Sequence, residues 1–331
     1  MNDDPDRRRR SVLAGLAGAL ASGLVGPRRA WAAGPGEPLA RARVSLTQAT
    51  RSLVLPDGSR VQFADSGGAN PVVICLHAVG HGSGDYAAVY AALAQEFRVI
   101  CLDWPNHGRS ADSSALPTVA SYARVLAAFM AALSIQRCAL VGNSIGGGVA
   151  LRYAAQHPEQ VWAVAVANPA GLDEGGWLAR IFLWWMQTRF RTAKTDPTAF
   201  SSWFADYYQS LLSEPPAAAQ RANIVAAGEQ MAPMLERAWA GFAQPENDTR
   251  EDAARIVAPV FVAWADKDPS VRWSRNEEAV LRMPRHCVRF FPAGHMPFLE
   301  TPDTAVPLLR TFLSSPVRFI DDCAAVAAAT R

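Results

Sequence analysis

The most informative segment of the sequence is V-G-N-S-I-G-G-G, from Val141 to Gly148. It follows an apolar run typical of a buried strand and leads into V-A-L-R-Y-A-A, which is typical of a helix. A G-x-S-x-G pattern between a strand and a helix indicates a tight turn that exposes the serine hydroxyl. Gly142 and Gly146 leave room for the backbone there. We therefore predict Ser144 as a nucleophile; the alternative is a glycine-rich turn that contains a serine by chance.

A serine nucleophile requires a general base, which we sought among the three histidines that follow Ser144. His157 lies at a predicted helix end before a proline, and His286 precedes a predicted strand. His295 instead follows a strand, in a loop that can bring an imidazole over the serine. We predict His295 as the base.

The base requires an orienting carboxylate, and the segment V-F-V-A-W-A-D-K-D-P-S-V places two after a strand. Asp268 lies farther into the loop than Asp266, so it is the predicted acid. Asp173, which follows the strand ending near Asn168, is a third candidate. The choice among these carboxylates stays open at this stage.

The loop after the first predicted parallel strand reads L-H-A-V-G-H-G-S-G-D-Y. Backbone N–H groups for an oxyanion are predicted at Val79 in this loop and at Ile145, which follows the serine. His81 and Asn143 are candidate substrate contacts, although a solvated loop position is an equally good interpretation of His81. No metal site is predicted, because His77, His81 and His107 lack a metal-ligand spacing.

The chain has 331 residues, of which 50% are hydrophobic and 19% charged, with a formal net charge of +2. This composition is typical of a globular protein and argues against a nucleic-acid partner. Cys75, Cys101 and Cys138 lie in apolar runs and are predicted to be buried free thiols. Cys287 and Cys323 are candidates for a disulfide in an oxidising compartment, but the sequence cannot fix that pairing.

Residues 1–32 have the pattern of an export signal. The cluster Arg7–Arg10 precedes an apolar Gly/Ala-rich run that ends near Gly26, and Ala30-Trp31-Ala32 offers a cleavage site. Paired arginines before such a run are typical of twin-arginine signals, which predicts a periplasmic or secreted protein without stable membrane association. The alternative is a membrane anchor, but about 15 apolar residues fall short of the ~20 needed to span a bilayer.

Strand and helix patterns alternate along most of the remaining chain, beginning with a hairpin around Pro56-Asp57-Gly58. Continuous apolar strands separated by helices predict an α/β fold with a mostly parallel sheet and helices on both faces. The pattern breaks over residues 171–249, where aromatic residues crowd into helical sequence. We therefore predict a core of residues 33–170 and 250–315, a helical cap of residues 171–249, and a C-terminal tail of residues 316–331.

The motifs L-H-x-x-G, D-W-P-x-H-G-R-S, V-G-N-S-I-G-G-G, W-A-D-K-D and A-G-H-M-P-F-L-E-T-P occur in this order. Together they resemble the α/β-hydrolase fold superfamily, over about residues 50–315 except most of the predicted cap. The resemblance implies a Ser144–His295–Asp268 triad, an oxyanion hole at Val79 and Ile145, and no cofactor. Serine at this position argues against haloalkane dehalogenases and epoxide hydrolases, which use a carboxylate.

Within the superfamily, G-N-S-x-G-G-G-x-A-L-R-Y is similar to the meta-cleavage-product hydrolases, which cleave C–C bonds. Three features depart from the family pattern: Ala78 and Ala265 replace the usual glycines, and the loop after His77 lacks an H-G-G-G-P-G run. The expected function is hydrolysis of a small, largely apolar ester through an acyl-enzyme. The alternatives are C–C bond hydrolysis, acyl transfer, or a ligand-binding protein that turns over slowly.

Overall fold

The computed structural model describes residues 40–173 and 175–329. The predicted export signal lies outside the described residues. No helix within the described part of the chain combines the length and apolar character needed to cross a bilayer.

The strands are β1 Arg51–Val54, β2 Arg60–Asp65, β3 Val72–Leu76, β4 Arg98–Asp103, β5 Cys138–Asn143, β6 Val161–Ala167, β7 Val260–Ala265 and β8 His286–Phe291.

These strands form one eight-stranded sheet in the order β1-β2-β4-β3-β5-β6-β7-β8. The predicted hairpin is confirmed, since β1 pairs antiparallel with β2, and β2 pairs antiparallel with β4. The remaining strands pair in parallel, as predicted. Because parallel strands end at the same edge of a sheet, the loops after β3, β5, β7 and β8 meet at one edge.

Helices cover both faces of the sheet. Alternate residues of each central strand point to opposite faces, so Cys75 and Val141 belong to one apolar core and Leu76 and Leu140 to the other. The helices are α1 Ala87–Leu93, α2 Val119–Ala132, α3 Ile145–Gln156, α4 Trp177–Thr195, α5 Pro197–Leu211, α6 Ala218–Gly241, α7 Arg250–Ala254, α8 Trp273–Leu281, α9 Pro297–Glu300, α10 Pro302–Ser314 and α11 Pro316–Ala329.

Helices α4, α5 and α6 follow β6 and precede β7, inside the range predicted as the cap. Their inner faces pack through aromatic rings. The Phe190 ring of α4, for example, lies 5.4 Å from Trp203 and 6.2 Å from Phe204 of α5. Large rings buried between three helices stabilise an insertion that has no strand of its own. The boundary between core and cap stays a prediction.

The segment predicted only as a tail contains helix α11, which packs against the core. Its Phe319 ring lies 5.3 Å from Phe261 of β7. A disulfide joins Cys323 of α11 to Cys287 of β8, which is the pairing that the sequence left open. Alanine favours helices but has little side-chain surface for packing, so the alanine-rich sequence did not indicate a helix that packs against the core. Cys75, Cys101 and Cys138 are free and buried, as predicted.

Candidate active site

Ser144 lies at a strained turn between β5 and α3. Its φ of 53° and ψ of −120° place it in a region that residues with a side chain rarely adopt. A Cβ added at Gly142 would collide with the Gly146 backbone, and one added at Gly146 would collide with the Leu76 carbonyl. The two glycines thus permit the close packing that holds this turn in its strained conformation.

The structure brings His295 and Asp268 together. The imidazole Nδ1 lies 2.6 Å from Asp268 Oδ2, and both side chains are buried. A hydrogen bond from Nδ1–H to a carboxylate fixes the tautomer in which Nε2 is free to accept a proton. Of the other predicted acids, Asp266 is exposed, and Asp173 forms an ion pair with Arg275 at 2.8 Å.

Asn168, at the end of β6, holds the Asp268 carboxylate and was missed by the sequence analysis. Its Nδ2 donates to Asp268 Oδ2 at 2.7 Å, and its Oδ1 accepts from the Ala265 N–H at 2.7 Å. The other carboxylate oxygen accepts the backbone N–H groups of Ser270 and Val271 at 2.8 and 2.9 Å. These bonds orient the carboxylate toward the imidazole. The only sequence signal for Asn168 is its position at the carboxyl edge of the sheet.

Glu300 holds the loop that carries His295, and the sequence analysis missed it too. Its buried carboxylate accepts the backbone N–H groups of Gly294, His295 and Met296 at 3.0, 2.8 and 2.9 Å. Burial of His295 opposes protonation, but the carboxylates of Asp268, Glu300 and Asp85 outweigh it and raise the imidazole pKa above its ordinary value. Glu300 therefore acts on the predicted base through both position and charge.

Replacing Glu300 by Gln should lower kcat by between about 10- and 100-fold, because the loop loses an acceptor and the imidazole shifts. Loss of the negative charge should also lower the pKa of His295. Since a general base acts only when deprotonated, the acid limb of the kcat/KM profile should move to lower pH. The control is Glu277→Gln, at an exposed position on α8. A fall in kcat with an unmoved acid limb would show that Glu300 is merely structural.

Val79 and Ile145 are the predicted oxyanion donors. Ile145 is the first residue of α3, so its N–H has no carbonyl one turn earlier to bind within the helix. Val79 lines the same cavity as Ser144. The next residue of its loop is anchored, because the Gly80 N–H donates to His107 Nε2 at 2.9 Å.

His77 and His107 support this loop. His77 Nε2 accepts the Trp104 N–H at 3.0 Å, and burial lowers the pKa of both His77 and His107. Both rings are therefore neutral acceptors that shape the loop. Within residues 40–173 and 175–329, no cluster of three or more His, Cys, Asp or Glu side chains could hold a metal ion.

The two candidate substrate contacts differ in position. His81 lines the cavity, with its Nδ1 2.7 Å from Asp85 Oδ2 and its ring 6.4 Å from that of His295. Asn143 does not line the cavity. Its Nδ2 donates to the carbonyls of Ala167 and His295, each at 3.0 Å, so it fastens the His295 loop to the sheet. The burial of β5 explains the difference, because a strand enclosed on both faces directs this side chain into the protein.

Ser144 and His295 line a cavity of about 570 Å³ beneath the inserted helices. Its walls are mostly apolar and aromatic. They include Leu183, Phe190, Tyr207, Leu235, Trp239 and Phe242. Arg180 and Arg272 also border the cavity, and both are exposed. The site thus joins a serine and a histidine–aspartate pair to an apolar chamber large enough for a small organic molecule.

Comparisons with known proteins agree with this architecture. The family model described as alpha/beta hydrolase fold matches residues 71–302. The acetyltransferase component of an acetoin cleaving system from Cupriavidus necator is 36% identical over 36% of this chain. That match covers 32% of the relative, so the chain spans about a third of the length of the first curated relatives it matches.

Other similarities extend over more of the chain. A 2-hydroxy-6-oxo-6-phenylhexa-2,4-dienoate hydrolase from Burkholderia cepacia is 27% identical, over 77% of this chain and 92% of the relative. A crystal structure of a membrane phospholipase A, described as a bacterial virulence factor, has a TM-score of 0.70 at 23% identity, covering 84% of this chain and 89% of that one. The matched family model covers six of the eight strands, β3 to β8, with the serine turn and the histidine loop, and the chain therefore belongs to the alpha/beta hydrolase fold family.

Proposed function

We propose that this protein is a serine hydrolase that cleaves a small, largely apolar ester. One observation carries the proposal: His295, which is hydrogen-bonded to Asp268, lines the same cavity as Ser144, and a strained turn at the end of β5 holds Ser144. A nucleophile, a base and an orienting acid on separate loops form the recurring arrangement for acyl transfer.

The proposed reaction proceeds through an acyl-enzyme. Ser144 Oγ attacks the ester carbonyl as its proton passes to His295 Nε2, and Asp268 stabilises the resulting imidazolium. The Val79 and Ile145 N–H groups bind the oxyanion of the tetrahedral intermediate. His295 then gives the proton to the leaving alcohol. A water molecule, deprotonated by the same imidazole, attacks the acyl group and releases Ser144 with a carboxylic acid.

The lining of the cavity suits a substrate with an apolar acyl or aryl group. Aromatic and aliphatic side chains from α4, α5 and α6 form its walls, and burial of apolar surface would contribute most of the substrate affinity. His81 is the polar side chain best placed to contact the substrate near His295. Asp85 fixes the orientation of that ring, and the Gln220 amide from α6 donates to Asp85 at 3.1 Å.

C–C bond hydrolysis is the second candidate, because the Burkholderia cepacia relative carries that activity in its name. An acidic dienol substrate requires a cation at the pocket. Among the basic residues on α4, Arg180 borders the cavity. The others have partners elsewhere: Arg191 and Lys194 contact Glu236. Arg189 stacks over the Trp203 ring at 4.9 Å. The missing H-G-G-G-P-G run alters the loop that shapes the oxyanion site, and we therefore favour the ester.

The two candidates predict different substrate preferences. Purified protein should hydrolyse short aryl esters well and meta-cleavage dienones poorly, because an ester needs only the triad and the oxyanion hole. The measurement is kcat/KM for a p-nitrophenyl ester and for a dienone, with Ser144→Ala as the blank. If kcat/KM for the dienone exceeded that for the ester by more than tenfold, or ~1.4 kcal/mol of transition-state preference, C–C bond hydrolysis would become the assigned activity.

We also propose that the protein is exported by the twin-arginine route and cleaved after Ala32. The Cys287–Cys323 disulfide supports this location, because disulfides persist in oxidising compartments. N-terminal sequencing of the exported protein should find Ala33, and replacing Arg9 and Arg10 by lysine should hold the protein in the cytoplasm. An exported protein that still begins at Met1 would rule out cleavage.

A further inference from the structure

The outer face of α4 carries an exposed group of large apolar side chains, which we call the aromatic patch. It consists of Trp177, Ile181, Trp184 and Trp185, which are 70, 52, 61 and 39% exposed. Their spacing of four, three and one residues places them on one side of the helix. The inner side is already filled by buried residues such as Met186 and Phe190. A contiguous exposed apolar surface of this kind marks a site of interaction.

The aromatic patch continues into the mouth of the cavity. The Phe182 ring lies 6.1 Å from Trp185 of the patch and 5.6 Å from Trp239 of the cavity wall. Phe182 is 39% exposed and also lines the cavity, as do Arg180 and Leu183 of the same helix. A molecule held against the patch would therefore have an apolar path toward Ser144.

The charges of α4 indicate what binds there. The helix contains four basic residues and no acidic residue. Arg191 and Lys194 contact Glu236 of α6 and Arg189 stacks over Trp203, which leaves Arg180 to face the cavity mouth. In the described part of the chain, no carboxylate forms an ion pair with Arg180 or with Arg272, another exposed arginine that lines the cavity. Tryptophan rings favour the bilayer interface, and arginines beside them are attracted to anionic headgroups.

We propose that the aromatic patch docks the protein on an anionic lipid surface, with the cavity mouth facing the lipid. The tryptophan rings enter the headgroup region, where such amphipathic rings are favoured. The Arg180 and Arg272 side chains contact the lipid phosphates. The substrate would then be an ester whose apolar acyl chain passes from the lipid along Phe182 to Ser144. This substrate class rests on the proposed ester hydrolysis.

Cosedimentation with vesicles tests the docking. The full chain is mixed with vesicles of phosphatidylcholine, or of phosphatidylcholine with phosphatidylglycerol, at low and high salt. The protein should bind the anionic vesicles, and binding should weaken in salt because the arginines contribute electrostatically. The Trp177→Ser/Trp184→Ser variant should need at least tenfold more lipid for half-maximal binding. The control, Val54→Ser/Val257→Ser, changes exposed apolar residues elsewhere and should match the unaltered protein.

All these proteins share the Arg7–Arg10 cluster, so the difference between them reports the patch alone. Binding of the tryptophan variant within twofold of the unaltered protein would overturn the proposal, as would equal binding to neutral vesicles. A dimer in sedimentation velocity that the tryptophan variant abolishes would instead assign the patch to a second copy. Turnover of a soluble aryl ester should be unchanged in both variants, since Trp177 and Trp184 do not line the cavity. If the unaltered protein did not hydrolyse the aryl ester, the ester proposal would be refuted, but the docking result would be unaffected.

Discussion

Replacing Ser144 by alanine should abolish turnover, with kcat falling by roughly 10⁶-fold. The change removes the attacking oxygen and nothing that supports the fold, because the strained turn is held by the packing of Gly142 and Gly146 against backbone. The thermal unfolding midpoint should therefore stay the same or rise slightly. The measurement is the initial rate on an aryl ester together with a melting curve.

The matched control for this variant is Ser270→Ala, since Ser270 lines the same cavity. Its backbone N–H donates to Asp268, and alanine retains that donor. The substitution removes only the hydroxyl, which bonds to Tyr207 at the cavity wall. That variant should keep kcat within tenfold of the unaltered protein. If Ser144→Ala also stayed within tenfold, Ser144 would not be the nucleophile, and a fluorophosphonate probe should then label another residue.

Replacing Asp268 by asparagine should lower kcat by roughly 10⁴-fold, because an amide stabilises the wrong imidazole tautomer and removes the charge that stabilises the imidazolium. Asp266→Asn is the control: it lies two residues away and has the same chemistry, but its side chain is exposed. We expect it to remain within a few-fold of the unaltered protein. The opposite ranking of the two variants would transfer the acid role to Asp266.

Local sequence patterns predicted the sheet and the serine turn because their physical causes are local. A buried parallel strand needs a continuous apolar run, and the turn needs glycine at two fixed positions around Ser144. The strand Cys138–Asn143 and the helix Ile145–Gln156 accordingly lie on the two sides of Ser144, where the apolar run and the helical segment indicate them. The preference for Asp268 over Asp266 also rested on a local property, its greater distance from the end of the strand, but that property left the choice open.

Contacts between distant residues could not be predicted in the same way. Asn168 and Asp268 are 100 residues apart, and Asn143 and His295 are 152 apart. Nothing in the sequence around Asn143 distinguishes a side chain that points into the cavity from one that bonds the backbone of another loop. That distinction depends on which strands are neighbours in the sheet.

The sequence by itself determined the α/β class, the serine turn and the motifs that carry the predicted triad of Ser144, Asp268 and His295, because each motif depends on residues that are near neighbours in sequence. Only the tertiary structure decided which carboxylate meets His295, that Glu300 holds the histidine loop, and that Cys287 pairs with Cys323. It also decided which aromatic residues of α4 are buried and which remain exposed. The physical reason is that burial and pairing follow from the packing of whole helices against the sheet, which no short segment encodes.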